Sequence, residues 1–156
     1  MNRRVDSKAI AVAEWADAEV GQLLAGAQVT VDWNTVVMQV SGSQDWNRVH
    51  HDPDFAQASG HPSVFLNTGW TSAMLFKVAS DWIGSSGWVQ RFDFRMRQMN
   101  AFGDTVSSGG QVRDKRIDPE GRPVVELDLW LENDRVGRTT VASATVVLLT
   151  SIGGVE

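Results

Sequence analysis

Asp45, Asn47, His50 and Asp52 share one short polar segment, Asp45-Trp46-Asn47-Arg48-Val49-His50-His51-Asp52, in which a carboxylate precedes an imidazole by five residues. These are the groups that water chemistry needs. A carboxylate orients and deprotonates a water, while an imidazole titrates near neutral pH and carries the same proton to a second atom. The segment therefore points to a hydration or dehydration site. Each residue has an ordinary structural alternative: Asp45 as a turn or cap residue bonding nearby backbone, and His50 as a packed histidine with one satisfied nitrogen. His51 and Asp52 raise the question of a metal, but adjacent side chains diverge and three of the four would have to converge, so no metal is assigned. His61 reads as a surface loop residue.

The elements around the segment follow from hydrophobic period. Residues Asp6 to Leu24 carry Ile10, Ala13, Ala16 and Val20 at helix-compatible spacing, a lead-in helix or arm within residues 1–27. Gln28 to Val31 reads as a short strand, and Trp33 to Val40 as a short helix stopped at Ser41-Gly42. From Val64 to Ile83 the chain is apolar on almost every side, with Leu66, Trp70, Met74, Val78 and Trp82 at four-residue spacing, which predicts a largely enclosed helix. Asn67 or Thr68 is placed to cap its start, and Gly84 with Gly87 to end it. Lys77 and Asp81 interrupt the run, so it is not a membrane span.

After Gly87 the period falls to two. Phe92, Phe94 and Met96 alternate with Arg91, Asp93, Arg95 and Arg97, the pattern of a strand with one buried face. Strands from Thr105 to about Asp114, from Pro123 through Leu131, and from Arg138 to Leu149 follow, joined by turns at 100–104, 118–121 and 133–137. Four consecutive strands on short turns read as an antiparallel meander. One enclosed helix followed by such strands predicts an α+β fold in which a curved sheet wraps the helix, with outer face and edges left to a partner chain.

Length and composition bound the rest. The 156 residues, 42% of them hydrophobic, fit a single domain with a loose tail at 150–156. A net charge of -5 gives no general attraction to nucleic acid. With no cysteine there are no disulfides, thiolate catalysis or Cys-ligated metals. No signal peptide or membrane span is read near the start, so a cytoplasmic location is expected. Seven tryptophans and no tyrosine are assigned to core or oligomer-interface filling in preference to ligand stacking.

Asp45, Asn47, Val49, His50, Asp52 and Ala56 resemble the signature of the MaoC-like (R)-specific enoyl-CoA hydratases, Asp-x-Asn-Pro-x-His followed by x-Asp and a small residue. The resemblance covers about 110 residues and extends through Phe65-Leu66-Asn67-Thr68 and Asn100-Ala101-Phe102-Gly103-Asp104-Thr105, similar to that family's Gly-Asp-Thr strand start. Arg48 replaces the family's proline, and Asn67-Thr68 stand where many members carry His-Gly. Val49-His50-His51-Asp52 and Phe65-Leu66-Asn67 look closer to the actinobacterial acyl-CoA hydratases of steroid side-chain breakdown. The resemblance implies a hot-dog fold, no cofactor beyond the coenzyme A thioester that is the substrate, an (R)-3-hydroxyacyl product, and a homodimer or a heteromer with another hot-dog chain.

In a trans-2-enoyl thioester, C3 accepts water only to the degree that charge moves onto the carbonyl oxygen, which calls for a held water, a proton route to C2 and donors at that oxygen. Asp45 and His50 are assigned to the water and the proton, and Asn47 to the loop or to orienting Asp45. The backbone N–H groups of Thr68 and Gly69 are assigned to the oxygen, because helix-start amides lack intrahelical acceptors and sit at the positive end of the dipole. Asn67 caps the helix or touches the thioester, with the cap preferred, and Trp70 is a candidate tunnel wall. Arg91, Arg95, Arg97, Arg113, Lys115 and Arg116 either meet coenzyme A phosphates or form a solvated face, the latter preferred. Two other functions stay open: a hot-dog thioesterase, which calls for a carboxylate inside the helix where Val64 to Ser80 has none, and a non-catalytic subunit completing a partner's acyl tunnel.

Overall fold

The computed structural model describes residues 14–149. After short strands β1 (Leu23–Leu24) and β2 (Gln28–Thr30) come helix α1 (Trp33–Ser43), a 3-10 turn at Arg48–His50 and helix α2 (Pro53–Ala58). Helix α3 (Thr68–Ile83) precedes four long strands, β3 (Gly87–Met96), β4 (Thr105–Ile117), β5 (Pro123–Asn133) and β6 (Gly137–Leu148). All strands join one antiparallel sheet in the order β1-β4-β5-β6-β3, with β2 also on β4.

The alternation read along each strand sets the two faces of this sheet. Leu127, Leu129 and Leu131 of β5 point inward and are at most 1% exposed. Their cross-strand neighbours are Val112, Gly110 and Ser108 on β4 and Ala144, Ala142 and Thr140 on β6. Phe92, Phe94 and Met96 of β3 continue these rows. Helix α3 lies on this inner face, touching β1, β3, β4, β5 and β6, and buries Thr71, Leu75, Val78, Ala79 and Ile83. Gly110 permits the close approach: a Cβ there would lie 2.6 Å from Leu129 Cδ2 and 3.3 Å from Val78 Cγ1.

Several expectations are corrected. The four long strands do not run as a simple meander, because β3 pairs with β6 and not with β4. Residues after Met96 cross the end of the sheet instead of turning back: Arg97 and Gln98 donate to Thr139 O, and Ala101 bridges to Phe65. Helix α3 begins at Thr68, since Val64 and Leu66 are spent on that bridge, with Leu66 N donating to Asn100 O at 2.9 Å. Nor is α3 enclosed on all sides. Phe76 is 43% exposed, and Lys77 pairs with Asp81 at 2.7 Å on the open side.

The lead-in helix falls partly on residues 6–13, outside the described residues. From Glu14 onward the chain makes a turn, and Gly21 at φ 92° stops any helix. Gly21 N and Gln22 O instead bond Val112 of β4. Helix α1 passes through Gly42 and stops only where Gln44 adopts φ 56°. The 150–156 tail also lies outside the described residues. The tryptophans stay out of the fully buried core: Trp33, Trp46 and Trp88 are 45–62% exposed, and Trp15, Trp70 and Trp82 pack against the core from its rim.

The outer face of the sheet is not the apolar surface that a partner would seek. Arg113 pairs with Glu126 and Asp128, Arg116 with Glu126 and Asp114, and Arg91 with Asp93. At the edge of β3 that carries no strand among the described residues, Phe76 is 43% exposed and stacks on Phe92, which stacks in turn on Phe94, each pair with centroids 5.7 Å apart.

Candidate active site

Asp45 and His50 sit on the link between α1 and α2, and local capping shapes that link. Asn47 Oδ1 accepts from Val49 N at 3.2 Å and starts the 3-10 turn. Asp52 accepts from Phe55 N at 3.0 Å, capping α2, and pairs with Arg48 at 2.7 Å. The Phe55 amide and then Arg48 hold its carboxyl below the usual carboxylate range. Asp52 is thereby committed to structure. The turn brings Asp45 Oδ2 to 3.3 Å from His50 Nε2, and Asn47 N donates to Asp45 Oδ1 at 3.3 Å.

The burial of the pair is unequal. The His50 side chain is 10% exposed and the Asp45 side chain 43%, so the imidazole is set in protein while the carboxylate meets solvent. His50 Nδ1 lies 2.9 Å from Phe65 O. A carbonyl can only accept, so Nδ1 carries a hydrogen, and this bond assigns the tautomer. Nε2 is left facing Asp45. When it is protonated it donates to Asp45. When it is not, a lone pair faces a carboxylate.

The start of α3 is tied to the same place. Asn67, 2% exposed, accepts from Trp70 N at 2.8 Å and so caps the helix. Its Nδ2 donates to Ser43 Oγ at 2.6 Å, and Ser43 Oγ in turn donates to Gln39 O and accepts from Asp45 N. The first two helical amides, Thr68 and Gly69, have no intrahelical acceptor by position. Gly69 abuts α1, where a Cβ would lie 3.1 Å from Ser43 Cβ. Trp70 lines a 320 Å³ cleft on that α1 side with Met38, Gln39, Gly42, Ser43, Gly69 and Ala73. A second cleft of 370 Å³ borders Phe65 on the other side, with Met96, Met99 and Ala101 as walls and Arg97 and Arg135 among its lining residues.

Gln39, Ser43 and the Phe65 carbonyl were missed by sequence reasoning. No motif marks them, and their partners lie 24–28 positions away or on the backbone. His61 packs on Phe65 with centroids 4.7 Å apart. Arg91, Arg113 and Arg116 belong to the outer-face ion pairs, away from Asp45 and His50. Among the described residues no group of three or more His, Asp or Glu is placed to hold a metal, and no helix is long and apolar enough to cross a membrane.

No family model matches the chain. It is 28% identical over 93 residues, 60% of this chain and 72% of the relative, to the 3-oxo-4,17-pregnadiene-20-carboxyl-CoA hydratase beta subunit of Mycobacterium tuberculosis. Its fold superposes on a chain of the ChsH1-ChsH2 complex from Mycobacterium tuberculosis with a TM-score of 0.74 and 23% identity, covering 83% of this chain and 98% of that one. R-hydratase PhaJ1 from Pseudomonas aeruginosa gives a TM-score of 0.74 at 18% identity, covering 91% of each chain. The chain thus has the hot-dog fold of the MaoC-like dehydratases and (R)-hydratases, with a six-stranded antiparallel sheet that is not closed.

Proposed function

We propose that this hot-dog chain is an acyl-CoA hydratase or dehydratase, adding water across the double bond of a trans-2-enoyl thioester or removing it, with Asp45 and His50 sharing the water. The observation that carries this reading is the facing of Asp45 Oδ2 and His50 Nε2 at 3.3 Å while Nδ1 is committed to Phe65 O. A water beside this pair is within reach of both groups and donates one hydrogen to Asp45. As the water oxygen bonds to C3, Asp45 takes one of the water's protons and passes it across the 3.3 Å contact to His50 Nε2, which delivers it to C2, while the water's second hydrogen stays on the new hydroxyl. The pair ends with the protons it began with, and the water's O–H bond is exchanged for C–O and C–H bonds. Charge that develops on the thioester oxygen meets the Thr68 and Gly69 N–H groups at the helix start.

The cleft bordered by Phe65, Met96 and Met99 suits an acyl chain, with Arg97 and Arg135 available to phosphates. The curated relative's substrate supports a coenzyme A thioester, and by the same analogy the product is an (R)-3-hydroxyacyl-CoA. The thioesterase reading gains nothing from α3, whose one carboxylate, Asp81, is 57% exposed and paired with Lys77.

The chain is also proposed to act with a second hot-dog chain, the same or different, docked on the open β3 edge. The relative is named a beta subunit, and the ChsH1-ChsH2 structure is a complex. Loss of enoyl-thioester absorbance with crotonyl-CoA and 3-oxo-4,17-pregnadiene-20-carboxyl-CoA tests the activity. Asp45→Asn and His50→Ala should each lower kcat by about 10²–10⁴. Unchanged turnover in both variants would dispose of the dyad. Activity that appears only on mixing with a partner chain and survives Asp45→Asn would make this chain a non-catalytic subunit.

A further inference from the structure

We infer that Gln39 is the positioning residue for His50, acting through the Phe65 carbonyl; the inference rests on the reading of His50 as the proton carrier. Gln39 lies on α1, 4% exposed, and a carboxamide is rarely so buried unless both its ends are bonded. Its partners are on the extended segment that leads into α3. One edge of that segment is occupied, since Leu66 N donates to Asn100 O and Phe102 N donates to Val64 O, both at 2.9 Å. Residues 65 and 67 face the opposite edge by the two-residue period of extended chain. There the Gln39 side chain takes the place of a strand: Nε2 donates to Phe65 O at 3.3 Å, and Oε1 accepts from Asn67 N at 2.7 Å. A carboxamide offers one donor and one acceptor side by side, as a neighbouring peptide group would.

A carbonyl oxygen has two lone pairs, and the second on Phe65 O takes His50 Nδ1–H. Gln39 thereby fixes the acceptor that decides which imidazole nitrogen carries the permanent hydrogen and where the other points. Its second bond anchors the amide of the α3 cap residue. The proton carrier and the helix start assigned to the thioester oxygen are therefore held by one side chain that bonds neither Asp45 nor His50 directly. Without it, Phe65 O and Asn67 N lose a partner each, the segment shifts, and Nε2 no longer faces Asp45 in a single arrangement.

The test is Gln39→Met, which keeps length and volume and removes both bonds. Long-range ¹H–¹⁵N spectra of the imidazole groups, with His50→Gln identifying the His50 signals, should show one Nδ1–H tautomer in the wild type and a mixture in the variant. With crotonyl-CoA, kcat should fall about 10- to 100-fold with KM within threefold, since the residue positions a proton carrier and binds nothing. An unchanged Nδ1–H tautomer in the variant, or kcat within twofold of the wild type, would overturn the inference. Should Gln39→Met fail to fold, Gln39→Glu, which keeps the acceptor for Asn67 N–H and gives up the amide donor, is read in the same way. The tautomer spectrum does not depend on turnover. A wild type without hydratase activity would therefore sink the proposed function, while the tautomer of the variant would still decide the positioning role.

Discussion

His50 spends one ring nitrogen on Phe65 O and presents the other to Asp45, so in the proposed reaction the two act as one unit. Two groups that hold a single water lose their joint contribution when either is removed. The double variant Asp45→Asn/His50→Ala should accordingly be no more than about threefold slower than the worse single variant, measured as kcat on one enoyl thioester. Two independent contributions would instead multiply. Asp45, Asn47 and His50 were legible in the sequence because their geometry is local: five residues and one 3-10 turn bring them together. Gln39 was not legible, because its partners are an amide and a carbonyl 28 and 26 positions away. Side-chain motifs do not record backbone acceptors.

At the level of elements, α3 rests on a sheet whose inner rows are graded in size, and the smallest position, Gly110, lies beneath Val78. Gly110→Ala would set a methyl 2.6 Å from Leu129 Cδ2. It should cost about 1–3 kcal/mol as the helix lifts or Leu129 leaves its rotamer. A urea midpoint unchanged by the substitution would refute this close packing. The strands and α3 were visible as period-two and period-four patterns, and the inward faces followed from them. The neighbours did not follow. Alternation says which face a residue takes but not which strand lies beside it, so the placement of β3 against β6 depended on a crossing stretch, Arg97 to Asp104, whose bonds to Thr139, Val64 and Leu66 carry no hydrophobic period. The apolar residues Val64 to Leu66 read as helix for a related reason, since a short apolar run fits a buried strand equally well.

For the molecule as a whole, the crossing stretch is locked by Asp104, whose side chain is 6% exposed. It accepts from Ala101 N, Asn133 Nδ2 and both Nε and Nη2 of Arg135 at 2.8–3.0 Å. Burial pushes the carboxyl up, but Arg135 and the Ala101 amide outweigh it and leave it below its ordinary value. A carboxyl depressed in the folded state stabilises above its unfolded value of about 3.9, and that contribution is lost as pH falls through the folded value. The wild type should therefore lose stability as pH falls below about 4, and Asp104→Asn should be less stable at pH 7 with a shallower decline in acid. Urea midpoints taken from pH 7 to pH 2.5 check both; parallel curves would refute the role. The far side of the molecule has a different consequence. Along the border of β3 that carries no strand among the described residues, Arg91, Asp93 and Arg95 alternate in sign on the solvent face. A second copy running antiparallel and centred on Asp93 would set carboxylate against carboxylate and guanidinium against guanidinium, whereas a slide of one pleat sets opposites together. A twin docked at this margin would therefore have only the offset alignment open to it.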